Sequence, residues 1–238
     1  MRLRLSLAFA TFGWALTQPA AADSPYSLDL KLDVPVLAIG AGVSLMAFLE
    51  VPPPACFPAC SASNINALDR TVLGNYSEPA HAAADVAVAS LLALPLLLDA
   101  ADSGGDGLLQ DAVVFGEVLL LAQALTQLTK YAVRRTAPFV YDPNAPEDAV
   151  RGRDASRSFI SGHTTMAFAA TTAYSVTFWQ RHPDSDLRWA VTGAGMLLSI
   201  GVGVLKIIAG YHFVTDVLAG ALVGAGVGAL VPFMHVRE

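Results

Sequence analysis

Lys130, His163, Lys206, His212 and Asp216 fall within or at the ends of segments otherwise built of Ala, Val, Leu, Ile and Gly. Ionisable groups in such apolar surroundings are costly and usually mark function. They sit in three stretches: KYAVRRTAP at 130–138, RSFISGHTT at 157–165 and LKIIAGYHFVTDVLAG at 205–220. Two lysines and two imidazoles brought to one place suit an anion, and phosphate is the natural candidate. Gly162 and His163 open an apolar segment. Free N–H groups at such a helix start favour an anion further. Asp216 follows His212 by four residues, about one helical turn. A carboxylate there can accept a hydrogen bond from one ring nitrogen and fix the imidazole tautomer. His81 and Asp85 form another turn-spaced pair and read as a structural pairing. Glu117 has no assigned partner. A single lysine at a helix end would snorkel to the interface, but four such groups together are not explained that way.

These residues require elements that bring them to one level. The chain has 238 residues, 54% hydrophobic and 14% charged. Soluble domains carry about 25% charged residues, so this composition indicates a membrane protein. A net charge of −6 leaves no basic excess for nucleic acid. Six segments are apolar enough for membrane helices: 34–49, 82–98, 112–129, 162–179, 189–209 and 213–234. A span takes about 20 residues; the segment 34–49 is short enough to lie at the interface. The expected fold is all-α, a membrane-embedded bundle of about six helices. In an up-and-down arrangement Lys130, His163, Lys206 and His212 share one membrane face. Gly220, Gly224 and Gly228 repeat at four-residue spacing, which lets helix backbones approach closely in lipid.

The N-terminus, 1–22, reads as a signal peptide or uncleaved anchor: Arg2 and Arg4, an apolar stretch, then Ala20-Ala21-Ala22. Residues 23–81 then hold the first helix and a Cys-containing loop, and 82–238 the bundle with the site. Cys56 and Cys60 in PPPACFPAC are the only cysteines and are disulfide candidates if the loop is exported. Two thiols without a nearby His fall short of a zinc site.

From about residue 98 to the C-terminus, the three stretches resemble the type 2 phosphatidic acid phosphatase superfamily, whose site is shared with vanadium haloperoxidases. Its pattern is Lys, six residues, Arg-Pro; Pro-Ser-Gly-His; and Ser-Arg, five residues, His, three residues, Asp. The resemblance implies a metal-independent lipid phosphatase, with no cofactor, acting on a phosphomonoester or diphosphate of a membrane lipid. It implies that His212 is the nucleophile, forming a phosphohistidine. Asp216 orients it, and His163 acts as general acid and then base. Lys130, Ser161, Gly162 and Lys206 bind phosphate. Haloperoxidases of this type are soluble, unlike this chain.

Three positions depart from the pattern. Ala137 replaces Arg, Ile160 replaces Pro, and Leu205-Lys206 replaces Ser-Arg. Arg grips phosphate with a planar fork, whereas Lys offers a point charge. On a continuous helix, positions 130, 134 and 137 share one stripe, so Arg134 is expected to bind phosphate in place of the missing arginine. Arg135, rotated by about 100°, is expected to point elsewhere. A catalytically impaired relative that binds a phosphorylated lipid or a protein partner is the alternative. The multi-pass chain is expected in a bacterial inner membrane with its site facing the periplasm.

Overall fold

A computed structural model describes residues 24–103, 105 and 107–237; the signal-like segment 1–22 lies outside them. Among the described residues the chain forms eight α-helices and no strand: α1 Leu30–Ser44, α2 Ala67–Arg70, α3 Glu78–Ser103, α4 Leu108–Val133, α5 Glu147–Arg151, α6 Gly162–Arg181, α7 Leu187–Ile208 and α8 Val214–His235. This is the all-α membrane bundle read from the sequence.

Five helical stretches are long and apolar enough to cross a bilayer: α1 with its 3-10 extension to Phe48, α3, α4, α7 and α8. The sixth expected span, α6, is too rich in Thr and Ser to qualify on hydropathy, yet it stands at the centre of the bundle, packed on α3, α4, α7 and α8. Most of its threonine and serine hydroxyls bond within the helix, although Thr172 Oγ1 is buried without a partner among the described residues. Thr165, Thr171, Ser175 and Thr177 each donate to the carbonyl four residues earlier. Such bonds satisfy the hydroxyl without a partner on another element. The lipid-facing belt is instead supplied by α7 and α8, where Leu197, Leu198, Ile200, Leu218, Leu222 and Phe233 are exposed. Exposed apolar side chains of that extent on several helices match a hydrocarbon solvent. The chain is a multi-pass membrane protein.

The glycine repeat decides how α8 meets α6. A β-carbon at Gly220 would lie 2.8 Å from the carbonyl oxygen of Ser161, at Gly224 2.2 Å from that of Thr165, and at Gly228 2.5 Å from that of Ala169. Any side chain there would force the helices apart, so the stripe sets the depth at which α8 carries its N-terminus to the site.

The segment 34–49 does not lie flat at an interface. With its 3-10 turn, the helix covers Leu30–Phe48, 19 residues, about 28 Å at 1.5 Å per residue. It runs alongside α4, and Gly40 packs against Leu120 closely enough that a β-carbon would come within 3.0 Å. Past Phe48 the chain folds over the end of the bundle. Arg153 donates to the Ala47 carbonyl and Ser156 to that of Pro52. Cys56 and Cys60 are joined by a disulfide in this loop. Phe57 and Cys60 cover a buried cluster of Ala137, Phe139, Val140 and Ala155. At the opposite end, Arg181 is buried between Asp99 and Asp111, and Ser24 donates to Asp111.

Candidate active site

Each catalytic candidate reaches the site through a local backbone device. Lys130 is in the last turn of α4, is buried, and donates to the carbonyl of Arg157. The helix stops at Val133 because Arg134 turns left-handed at φ 49° and its N–H closes on the Lys130 carbonyl. Two bonds then hold the loop 152–160 across this end: Ala137 N–H to the Ala155 carbonyl, and Ser158 N–H to that of Arg135. The Ser158 carbonyl is thereby aimed at His212, whose Nδ1 donates to it at 2.6 Å.

His212 owes its position to Gly210. That residue has φ +80°, and a β-carbon on it would fall 1.7 Å from the Asn75 carbonyl oxygen. Only glycine fits both demands. The next residue, Tyr211, stacks on His81 with ring centroids 4.1 Å apart. At the start of α6, a β-carbon at Gly162 would lie 3.3 Å from Thr126 Cγ2, a tight approach, and in ordinary contact with Cε of Lys130 at 3.8 Å.

Asp85 ties the second histidine to the second lysine. His163 Nε2 donates to Asp85 Oδ1 at 2.7 Å, and Lys206 Nζ donates to the same oxygen at 2.9 Å and to His81 Nδ1 at 3.0 Å. Lys206 is almost wholly buried. His81 and Asp85 do pair, at 3.5 Å, as their turn spacing suggests; the carboxylate also joins the two site residues from α6 and α7. The sign of this was legible, since Asp85 is an ionisable group in an apolar segment, but its partners are 78 and 121 residues away.

Together these side chains line one cavity of about 360 Å³. Lys130, Asp154, Gly162, His163, Lys206 and His212 form its polar part, and Gln123 and Gln127 of α4 add amides that the sequence reading did not single out. Val88, Leu92 and Met166 make an apolar wall. Asp154 is a rim residue in the loop. Burial of its carboxyl would raise its pKa, but Lys130, His212 and Arg157 outweigh this and hold it below the usual range. His212 titrates below an ordinary imidazole because it is buried, and Lys130 adds to the effect, against the opposing pull of Asp216. The ring is therefore neutral near pH 7, with Nδ1–H on Ser158 and Nε2 carrying the lone pair.

Three sequence expectations require correction. The hydrogen bond from His212 to Asp216 is not formed: Asp216 Oδ2 is 3.9 Å from Nδ1. Asp216 stands at the third position of α8, where Oδ2 accepts the Phe213 N–H and Oδ1 accepts from Arg135 at 2.5 Å. It acts as helix cap and ion-pair partner, and the carbonyl of Ser158 sets the His212 tautomer instead. Arg134 does not share a stripe with Lys130, because the helix ends before it; the side chain is exposed. Arg135 is the arginine that turns inward, bonding Asp69 at 2.8 Å as well as Asp216, and lying 3.9 Å over the Phe213 ring. Finally, Ser161 is buried with its hydroxyl 2.9 Å from that of Thr164. It holds the N-cap position of α6 without a side-chain capping bond, and it is not among the cavity-lining residues, unlike Gly162 and His163.

Asp69 completes this layer. It accepts from the Thr215 N–H and hydroxyl as well as from Arg135. Burial pushes its pKa up, but Thr215 and Arg135 more than reverse that, and it stays ionised. An Asp69–Arg135–Asp216 chain thus clamps α2, the loop after α4 and α8 behind the cavity.

A family model for the PAP2 superfamily matches residues 111–238, just over half of the chain. Among curated proteins, a lipid A 1-phosphatase of Porphyromonas gingivalis is 37% identical over 76 residues, 32% of this chain. The match spans 16% of that relative's length. Among solved structures, a transmembrane PAP2 type phosphatidylglycerolphosphate phosphatase from Bacillus subtilis aligns over 85% of this chain and 92% of that one, with a TM-score of 0.47 and 18% identity.

Proposed function

The chain belongs to the PAP2 superfamily, and from that premise we propose that it is a membrane phosphatase that hydrolyses a lipid-linked phosphomonoester or diphosphate through a phosphohistidine on His212. The observation that carries this reading is the state of His212: buried, neutral, with Nδ1–H engaged by the Ser158 carbonyl and no hydrogen bond to Nε2 among the described residues. A neutral imidazole with one free lone pair, beside two lysines, is an activated nucleophile for phosphorus.

In the first half-reaction, Nε2 of His212 bonds to phosphorus as the bond to the lipid oxygen breaks. His163 gives that oxygen a proton. With Nε2 of His163 held by Asp85, Nδ1 is the nitrogen left for the transfer, and the carboxylate stabilises the imidazolium. In the second half-reaction, His163 takes a proton from water as the water oxygen attacks phosphorus. The N–P bond breaks and neutral His212 returns. Lys130 and Lys206 each carry three N–H donors, of which one and two are already committed. The remainder, with the N–H groups of Gly162 and His163, hold the phosphoryl oxygens. No step uses a metal: Asp85 and Asp216 are committed to ion pairs. The apolar wall of Val88, Leu92 and Met166 suits the first carbons of a lipid.

The active face is proposed to be periplasmic, in a bacterial inner membrane, because the Cys56–Cys60 disulfide lies on that face and such bonds persist in exported compartments. A binder without turnover is the second reading, favoured by Ala137 and by the engagement of Arg135 with Asp69 and Asp216, which leaves the two lysines and the N–H groups at the start of α6 to hold phosphate. One experiment separates the two. Purified protein in detergent should release phosphate from at least one of a panel of lipid phosphates. His212→Ala should abolish release, and EDTA should not change the initial rate. No release from any substrate supports the binder; residual turnover above about a tenth in His212→Ala removes the nucleophile assignment.

A further inference from the structure

Away from the catalytic candidates, three ionisable groups meet towards the other end of the bundle. Asp33 of α1 and Glu117 of α4 are buried, at 3% and 2% exposure. His235 closes α8 beside them. Nε2 of His235 is 3.3 Å from Asp33 Oδ1 and 3.3 Å from Glu117 Oε2, and one donor atom from each residue falls within 4.8 Å of the others. The second oxygens of both carboxylates, Asp33 Oδ2 and Glu117 Oε1, are buried with no hydrogen-bond partner among the described residues. Along α4, Glu117 precedes Lys130 by 13 residues, about 20 Å of helix, and the cavity-lining Gln123 by six, about 9 Å.

We propose that Asp33, Glu117 and His235 form a binding site for a divalent transition metal, with zinc the best chemical fit. The imidazole is set up as a ligand: its Nδ1 donates to the Val231 carbonyl at 2.8 Å, which fixes the tautomer and leaves the Nε2 lone pair facing the carboxylates. Metal-binding histidines are oriented in this way. The spacing agrees as well. Zinc ligands at about 2.0–2.1 Å in tetrahedral geometry lie about 3.3 Å apart, the separation seen from Nε2 to each carboxylate. An imidazolium bridging two carboxylates would instead make bonds of about 2.7–2.9 Å. A divalent cation would also give the two unpartnered carboxylate oxygens a partner, which the single Nε2 does not. The mixed nitrogen and oxygen set disfavours calcium and magnesium, which prefer oxygen alone. The partial exposure of His235 leaves a way in and room for a water as fourth ligand. The ligands come from α1, α4 and α8. The metal would therefore staple the first helix, which is mostly exposed to the bilayer, to α4 and α8.

The test uses the full-length protein without a histidine tag, purified in detergent, stripped with EDTA and titrated with zinc alone. About one zinc per chain should bind, with a rise in the thermal midpoint and unchanged stoichiometry in His212→Ala. Asp33→Asn and Glu117→Gln should each lower zinc content at least about tenfold. Cobalt substituted into the unaltered protein should give the intense visible absorption of a tetrahedral centre, which needs no variant to fold. Failure of the stripped protein to bind zinc, an absent tetrahedral cobalt spectrum, or full zinc content in both variants would overturn the site.

Discussion

At the residue scale, the chemistry depends on which side chain holds which. Asp85 is a positioning residue: it orients His163 and anchors Lys206. Asp85→Asn should lower kcat on a lipid phosphate about tenfold or more, since general acid catalysis contributes about 10²–10⁴. An aryl phosphate, whose leaving group needs little protonation, should lose far less, and Asp85→Glu should recover part of the lipid activity. Equal losses on both substrates would assign Asp85 a purely structural role. The two adjacent arginines provide a second contrast. Exposed Arg134→Ala should remain within about threefold of the parent, as for surface substitutions generally. Arg135→Ala removes the partner of two buried carboxylates and should cost about 3–5 kcal/mol of stability, measured by thermal or denaturant unfolding. A collapse of activity in Arg134→Ala with an unaffected Arg135→Ala would reverse this assignment.

At the element scale, the site is assembled by helix ends, and its precision rests on the α6–α8 contact. Gly224 and Gly226 differ by two residues on one helix but face opposite surroundings. A β-carbon at Gly224 collides with the Thr165 carbonyl at 2.2 Å, while at Gly226 nothing lies within 4 Å. Gly224→Ala should therefore destabilise the protein by about 1–3 kcal/mol, the usual cost of overpacking, and displace His212 relative to His163 enough to lower kcat. Gly226→Ala should be neutral or slightly stabilising, because alanine is the better helix former. Thermal unfolding of the two variants in the same detergent decides the point; equal midpoints would mean that the stripe does not set the packing.

At the scale of the whole molecule, the open variable is which way the bundle faces. With α1 aligned along α4, Ser24 and the Cys56–Cys60 loop lie at opposite ends of the bundle. A periplasmic active site therefore puts Ser24 on the cytoplasmic side. The basic residues on the active face would ordinarily argue for the cytoplasm, but Lys130, Arg135, Arg153 and Lys206 are held there by hydrogen bonds and ion pairs. In intact cells treated with a membrane-impermeant reductant, an impermeant maleimide should label Cys56 and Cys60. Labelling that appears only after the membrane is opened would put the active face in the cytoplasm.

Composition, motif order and the position of charges at segment ends were enough to read an all-α membrane bundle with its candidate site residues at one end. Those features are local: an apolar run declares its solvent, and a lysine or histidine at its end declares its level in the membrane. The fine wiring was not local. Whether Arg134 or Arg135 turns inward depends on a left-handed residue that ends α4. The partner of His212 is a carbonyl 54 residues earlier in the chain. Asp85 serves residues of two other helices, and Asp33, Glu117 and His235 meet only because α1, α4 and α8 pack side by side. Hydrogen bonds act over about 3 Å, so they are settled by the crossing of backbones, and a one-dimensional pattern that fixes depth in the bilayer carries no information about rotation of one helix against the next.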